Sequence, residues 1–163
     1  MGFVVELRSE FVLFPGKMRI TLEADYAVRV MLELARRPEG ELVPTDRLSR
    51  RTGVPRAYLT KIVQSMARAG LVRTRRGARG GVRLVRKPAR VTLRQVIEAI
   101  DGPVYLNRCV VGPGECPRDR FCPVQPAWQR IQAKLMRELD AVTMAVAASP
   151  RDGSRKTLKR SLC

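Results

Sequence analysis

The hydrophobic positions between residues 18 and 37 recur at three- and four-residue steps, the spacing of an amphipathic helix. Leu22, Val30 and Leu34 belong to this apolar face, and Thr21 is well suited to cap its start because a hydroxyl can accept from free backbone amides. Acidic residues lie near the beginning of the segment and arginines at its end, as the helix dipole favours. A first helix is therefore predicted over LEADYAVRVMLELARR.

Two shorter helical segments follow, separated by a glycine turn. TDRLSRRT ends at Gly53, and PRAYLTKIVQSMARA begins with Pro55 in a first helical position and ends before Gly70. Two helices joined by a tight turn predict a helix-turn-helix. The next segment, LVRTRRGARGGVRLVRK, alternates apolar and basic residues around glycines. This pattern predicts a two-stranded hairpin in the position of a wing.

The C-terminal half contains two more helical patterns and a loop rich in Gly, Pro and Cys. Thr92 and Gln95 form a capping-box pair that opens TLRQVIEAID. After the loop, one longer helix is predicted over PAWQRIQAKLMRELDAVTMAVAA. Its apolar stripe comprises Trp128, Ile131, Leu135, Leu139 and Val142.

Five segments are predicted along the chain. They are an N-terminal extension (1–17), a winged helix-turn-helix domain (18–90), a connecting helix with the cysteine loop (91–124), the long helix (125–149) and a basic flexible tail (150–163). The extension is expected to be disordered or to reflect an upstream start codon. It lacks the pattern of a signal peptide, and no apolar run reaches membrane-spanning length, so a cytoplasmic protein without membrane contact is expected.

The charge of the chain points to nucleic acid. Thirty-two Lys and Arg face fifteen Asp and Glu, a formal net charge of +17. Seven of the basic residues fall between Arg68 and Arg90 with no acidic residue among them, on the predicted wing. Such a run suits the phosphates of double-stranded DNA, whereas RNA is less favoured because the few aromatic residues are scattered. The fold class predicted is mainly α with a small β-hairpin wing, a winged helix-turn-helix DNA-binding domain followed by a long C-terminal dimerisation helix.

Candidate DNA contacts lie on the third helix and the wing. The helix residues are placed to face base edges in a major groove, and the arginines at the glycine-rich wing tip to enter a minor groove. The alternative is a solvated basic surface with Tyr58 packed in the core. The candidates are Arg56, Tyr58, Lys61, Gln64, Arg75, Arg76 and Arg79.

Three cysteines, Cys109, Cys116 and Cys122, lie within CVVGPGECPRDRFCPV, and the chain has no histidine. In a reducing compartment such a group favours a metal site over disulfides. Soft thiolates suit an iron–sulfur cluster of the 2Fe–2S or 4Fe–4S type. Structural zinc and a thiol redox switch remain alternatives. The fourth cysteine, Cys163, lies on the tail and is expected to be a bystander.

The phrases MRITLEADYAVRVMLELA and YLTKIVQSMARAGLVRTRRGARGGVRL, followed by C-x6-C-x5-C before a long helix, resemble the Rrf2 family of bacterial transcription regulators. This resemblance implies an iron–sulfur cluster on the three cysteines and a homodimer joined through the apolar stripe of the long helix. IscR-like members place a histidine where this chain has Gln125. NsrR-like members instead use an aspartate of the first helix, donated by the partner subunit, and the matching residue is Asp25. The alternative for Asp25 is an ordinary first-turn acid favoured by the helix dipole. Glu115 or Asp119 of the loop could then supply the fourth ligand, and Glu23 is a poorer candidate.

The function predicted is a dimeric transcription regulator that senses redox state, nitric oxide or iron–sulfur status through its cluster. The alternatives are a zinc- or thiol-containing winged-helix regulator without a cluster, or a metal protein that binds nucleic acid non-specifically. An enzyme is not expected, because the chain lacks a histidine for acid–base work, and GARGG lacks the strand-to-helix context of a phosphate loop.

Overall fold

The computed structural model describes residues 20–77, 80–118 and 121–149. Within this part of the chain the helices and strands are α1 (Leu22–Ala35), α2 (Thr45–Thr52), α3 (Arg56–Arg68), β1 (Val72–Arg75), β2 (Gly81–Leu84), α4 (Leu93–Asp101), α5 (Gln125–Ala141) and α6 (Met144–Ala148). Single 3-10 turns occur at Pro88–Arg90 and Arg108–Val110. None of these helices combines the length and apolar character that a bilayer span would need. The predicted extension and basic tail lie outside the described residues.

Short-range signals set most of the helix ends. The hydroxyl of Thr21 accepts from the amide of Ala24 at 3.2 Å and caps α1, and Thr92 and Gln95 form the expected capping box on α4. Gly53 ends α2 at a φ of +71°, a conformation that glycine adopts without steric cost. One boundary was predicted wrongly, because Pro55 caps α3 from outside the helix rather than occupying its first turn.

The wing is an antiparallel hairpin with Val72 opposite Leu84 and Arg75 opposite Gly81. Its inner strand is joined to the segment before α2 by a two-way backbone bridge, in which the amides of Val43 and Val82 each donate to the other's carbonyl at 2.9 Å. A Cβ on Gly81 would lie 2.6 Å from the carbonyl oxygen of Val43. Glycine at position 81 is therefore what lets the wing pack this closely against the helical part of the domain.

The core surrounds α1, which packs against α2, α3, α4 and α6. Its members are mainly aliphatic and come from every element of the DNA-binding half, with one residue contributed by the C-terminal segment. The largest fully buried side chains include Met31, Leu48, Leu59, Ile62, Met66, Ile97 and Met144. One charged residue, Glu33, is buried among them and pairs with Arg37 and with Arg51 of α2, the latter at 2.6 Å.

The single long helix predicted for the C-terminal segment is wrong, because the structure divides it into α5 and α6. Val142 is extended, and its carbonyl accepts from the amide of Leu93 at 2.8 Å. Two residues later, the amide of Met144 donates to Val91 at 2.8 Å, and Thr143 caps α6. Pairing with the backbone before α4 replaces the helical hydrogen bonds at this point and carries Met144 into the core.

Candidate DNA-reading face and cysteine loop

A groove of about 570 Å³ runs between the start of α2, the exposed side of α3 and the wing. We call it the α3–wing groove. It brings together three predicted DNA contacts, Gln64 of α3 with Arg75 and Arg76 of the wing. Other side chains that can exchange hydrogen bonds with DNA also line the groove, namely Thr45, Asp46, Thr60 and Thr74.

The other predicted contacts on α3 are exposed, and each has a partner on a neighbouring helix. Arg56 forms an ion pair with Asp46 at 2.6 Å. Lys61 forms one with Glu23 of α1 at 3.0 Å. Tyr58 is 43% exposed, so it does not belong to the buried core. Its ring meets that of Tyr26 edge-on, with 5.8 Å between the centroids.

Sequence reasoning did not find the two carboxylates that pair with α3. Asp46 lies ten residues before Arg56 along the chain, and Glu23 lies on another helix. Only the packing of α1 and α2 around α3 brings these charges together. On the wing, Arg75 and Arg76 are exposed as predicted, and Arg79 lies outside the described residues.

The three cysteines of the loop approach one another at the start of α5. Burial raises the pKa of the Cys109 thiol, and a hydrogen bond with Cys116 and the charges of Cys116 and Cys122 raise it further. Cys116 and Cys122 therefore both lie within electrostatic reach of Cys109, and each of the three cysteines is half-buried. Over the described ranges, however, no three His, Cys, Asp or Glu side chains surround one point as ligands of a single ion would.

Cysteines that interact without forming the ligand group of one ion, among the described residues, are expected if the loop suits a cluster rather than a lone ion. In a 4Fe–4S cluster each thiolate binds a different iron atom, so the sulfurs lie further apart than the ligands of one zinc ion. A pocket of about 390 Å³ opens beside Cys109 and is also lined by Gly112, Pro113, Gly114, Gln125 and Gln129. Three soft sulfur donors in one loop, one of them lining the pocket, fit an iron–sulfur group by ligand type.

Gln132 of α5 holds the beginning of this loop. Its amide oxygen accepts from the backbone of Leu106 at 3.0 Å, and its amide nitrogen donates to the carbonyl of Val104 at 2.7 Å. Both polar ends of one side chain therefore satisfy backbone groups of the loop. Sequence reasoning missed this role. The available signal was a glutamine one position from the apolar stripe, where a polar side chain in a half-buried place needs a partner.

Asp25, predicted as the fourth ligand, lies in the first turn of α1 and pairs with Arg29 at 2.6 Å. Arg29 in turn lies over the ring of Tyr26, 5.6 Å from its centroid. Within one subunit, no three-residue ligand group among the described residues includes Asp25. Ligation by Asp25 therefore remains a prediction that requires a second subunit.

Four of the five residues of the predicted dimer stripe lie on α5, which buries none of its residues, whereas Val142 follows the helix in an extended conformation. Trp128 is 37% exposed and Ile131 50%, and two neighbouring residues before them, Phe121 and Val124, are 89% and 50% exposed. Leu135, Leu139 and Val142 are half-buried. The stripe thus has an uncovered end beside the cysteine loop, and its role as an interface remains a prediction.

Comparison with known proteins identifies the family. Residues 20–149 match the Rrf2 family, described as an iron-dependent transcriptional regulator. The chain belongs to the Rrf2 family. Among Rrf2-like relatives, Rv1287 of Mycobacterium tuberculosis, named as an HTH-type transcriptional regulator, is 33% identical over 132 residues, which cover 80% of this chain and 81% of that protein. IscR of Vibrio cholerae is 31% identical over 127 residues, covering 78% and 73%.

Solved structures agree with the Rrf2 fold. CymR of B. subtilis, described as the global cysteine regulator, aligns with a TM-score of 0.64 at 27% identity, over 80% of this chain and 95% of that one. IscR of T. potens aligns with a TM-score of 0.62 at 24% identity, over 79% and 85%, and shows the fold alone. The predicted family, winged-helix fold class and non-enzymatic transcription regulator are confirmed. Rrf2 regulators bind DNA, and this chain is one of them.

Proposed function

We propose that this Rrf2 protein is a homodimeric regulator whose DNA affinity depends on an iron–sulfur cluster bound by Cys109, Cys116 and Cys122, with Asp25 of the partner subunit as the fourth ligand. The observation that carries the proposal is the hydrogen bond between the Cys109 and Cys116 thiols, with Cys122 in electrostatic reach of Cys109, next to an open pocket that Cys109 lines. Resemblance to IscR supports the same type of cofactor. When bound, an iron–sulfur cluster supplies a centre that responds to oxidants, nitric oxide and iron supply.

The donor set explains why a carboxylate is the expected fourth ligand. Gln125, which matches the histidine of IscR-like members, begins α5 and lines the pocket, but a neutral amide is a weak iron ligand. An aspartate carries a negative charge and can replace the missing imidazole. Because Asp25 does not join the cysteines of its own chain, its participation requires dimerisation.

A dimer would cover the exposed apolar end of the α5 stripe. Trp128 and Ile131 are large and partly exposed, and an aromatic residue such as Trp128 is a common anchor of protein interfaces. Their position immediately after the cysteine loop would bring the loop of one subunit towards the other. Two winged-helix domains could then occupy successive major grooves of a pseudo-palindromic site.

A continuous set of contacts connects the cysteine loop with α3. Gln132 fixes the loop to α5, and the amide of Val104 donates to Glu98 of α4 at 3.5 Å. At the end of α4, the carboxylate of Asp101 accepts from the backbone and hydroxyl of Thr21 at 3.0 and 2.6 Å. From the α1 start, Glu23 pairs with Lys61 of α3. A displacement of the loop would therefore be transmitted to the DNA-reading helix through α4 and α1.

Reconstitution of the full chain without oxygen tests the cluster directly. Iron and sulfide should bind in stoichiometric amount with visible absorption, and Cys109→Ser, Cys116→Ser and Cys122→Ser should each abolish both signals. Cys163→Ser is the matched control, which changes a cysteine outside the loop and should bind iron like the parent. Holo and apo protein should differ in affinity for a selected duplex by about 5- to 150-fold, the usual range of allosteric coupling. Equal affinities would contradict the sensor mechanism.

Asp25 has its own test, because its ion pair with Arg29 gives it a structural role as well. Asp25→Asn should weaken cluster retention in the dimer, whereas Arg29→Ala removes the same ion pair but keeps the carboxylate. If both variants lose iron equally, Asp25 acts through packing and is not a ligand.

A regulator that uses zinc or bare thiols is the second candidate. It is favoured by the likeness to CymR, which is described as a global cysteine regulator, and by the hydrogen bond that joins the Cys109 and Cys116 thiols. Colourless protein with stoichiometric zinc would favour the first form, and metal-free protein whose DNA affinity changes with thiol oxidation the second.

A further inference from the structure

We infer that Glu23 and Asp46 are specificity-determining residues, which cancel the charge of Lys61 and Arg56 on α3 while leaving their remaining hydrogen-bond donors available to base edges. This inference rests on the proposed placing of α3 in the major groove. It separates the interactions that the protein makes with DNA of any sequence from those that it makes only with its recognition sequence.

The geometry consists of two ion pairs that converge on one helix from two others. Asp46, in the first turn of α2, meets Arg56 at 2.6 Å, and Glu23, in the first turn of α1, meets Lys61 at 3.0 Å. Both cations are 69% exposed, so the carboxylates hold them without removing them from solvent. Asp46 itself lines the α3–wing groove, which places an acid on the surface expected to face phosphates.

These pairs contrast with the rest of the DNA-binding half. The chain carries +17, and Arg75 and Arg76 of the wing supply cations to the same groove. Attraction to phosphates of any sequence depends on net charge, because each neutralised phosphate releases a counterion. A paired cation contributes little to this attraction, so the wing supplies most of the non-specific affinity.

Base reading depends on donors rather than on net charge. A guanidinium has five N–H donors and an ammonium three, and one carboxylate occupies only part of either set. The free edge of Arg56, oriented by Asp46, can address the paired acceptors of a guanine. The carboxylates therefore reduce binding to wrong sequences more than binding to the right one, which is how specificity arises as a difference between two affinities.

The test compares full-length Asp46→Asn and Glu23→Gln with the parent protein. Binding is measured by fluorescence anisotropy to a duplex selected from a random pool by the parent, and to a scrambled duplex, over a series of salt concentrations. Each variant should bind the scrambled duplex roughly three- to tenfold more tightly, with a salt slope steeper by about one. Binding to the selected duplex should improve less, so the ratio of the two affinities should fall by about two- to fivefold.

Glu41→Gln is the matched control, because Glu41 pairs with Arg47 of α2 at 3.8 Å and does not line the groove. An equal rise in non-specific affinity for this control would overturn the inference, since overall charge would then explain the effect. Equal gains on both duplexes would overturn it as well. Thermal unfolding of each variant separates a loss of helix stability from these readouts.

A double-mutant cycle separates this inference from the proposed function. In an Arg56→Gln background, Asp46→Asn should leave the affinity ratio unchanged, since its effect acts through Arg56. If Arg56→Gln and Lys61→Gln change neither affinity nor sequence preference, the proposed reading face is wrong. If those two variants weaken selective binding while the carboxylate variants change nothing, only the role of Glu23 and Asp46 is wrong.

Discussion

The DNA-binding half, which comprises α1 to α4 and the wing, buries many apolar side chains. The cysteine half, which comprises the loop and α5, leaves such side chains exposed. Helices α1 to α4 and the wing enclose a core in which residues such as Met31 and Leu48 are fully buried. In contrast, α5 buries no residue, and the loop before it leaves Phe121 almost completely exposed. One half is completed by its own chain, whereas the other presents apolar surface and thiols that a second subunit and a cofactor would complete. Predictions that separate the two halves therefore test the proposed function.

Leu48→Ala should give the largest effect, because Leu48 is fully buried and truncation leaves a cavity. We expect the free energy of unfolding to fall by about 3 kcal/mol, measured by urea denaturation. Ile131→Ala, on the half-exposed stripe of α5, should cost less than about 0.5 kcal/mol under conditions that keep the chain monomeric. Equal losses would remove the contrast between the halves.

Trp128→Ala should weaken the dimer without destabilising the fold of the monomer. The dissociation constant measured by sedimentation should rise roughly 30-fold, about 2 kcal/mol, as for an aromatic anchor, without a change in the unfolding of the monomer. Arg137→Ala, an exposed residue of the same helix, is the control. A parent protein that stays monomeric at micromolar concentration would contradict the predicted interface.

Gln132→Ala should release the cysteine loop and leave the wing intact. Two backbone groups, on Val104 and Leu106, lose their partner, which we expect to cost about 1–2 kcal/mol locally. Hydrogen exchange at Leu106 should accelerate about tenfold, while amides of β1 and β2 keep their protection. Gln129→Ala, one turn earlier, serves as the comparison, and equal acceleration there would contradict the role of Gln132.

Glu33→Gln should give the smallest effect, and one that depends on pH. Burial opposes the shift, but hydrogen bonds and charges from Arg37 and Arg51 lower the pKa of Glu33 below its usual value of 4.5. A carboxyl whose folded pKa is lowered stabilises the native state above the unfolded pKa and loses that contribution as pH falls through the folded value. The free energy of unfolding, measured by urea denaturation at several pH values, should therefore be about 1 kcal/mol higher for the parent than for the variant near pH 7. This difference should shrink below pH 4.5. Glu39→Gln, on the exposed loop after α1, is the control for the loss of one carboxylate elsewhere on the chain.

Local signals were sufficient for most of the DNA-binding half. Thr21, Gly53 and the Thr92–Gln95 pair act within a few residues of themselves, and their helix ends lie where the sequence predicts. The wing follows from alternation around glycines. What sequence reasoning missed depends on distant partners, such as the hydrogen bonds from Thr21 to Asp101, eighty residues away.

The cysteine half was less predictable for the same reason. Its loop has no hydrophobic period, so the approach of the three thiols could be expected only from their spacing and the family resemblance. The break at Val142 was missed because apolar residues continue at helical spacing through it, and only pairing with the backbone of Leu93 reveals it. Whether Asp25 ligates depends on another subunit, which no pattern within one chain expresses.

The return of the chain at Val142 means that the DNA-binding domain is not one uninterrupted stretch of sequence. Met144 fills part of the core around α1, and Thr143 bridges to Thr92 at the start of α4. A fragment that stops at residue 90 or at 141 would lack the Met144 side chain and would expose the apolar core residues that it covers. Truncation before residue 144 would therefore weaken DNA binding although the removed residues do not line the α3–wing groove. In such shortened variants, a loss of folding could not be distinguished from a loss of sensing.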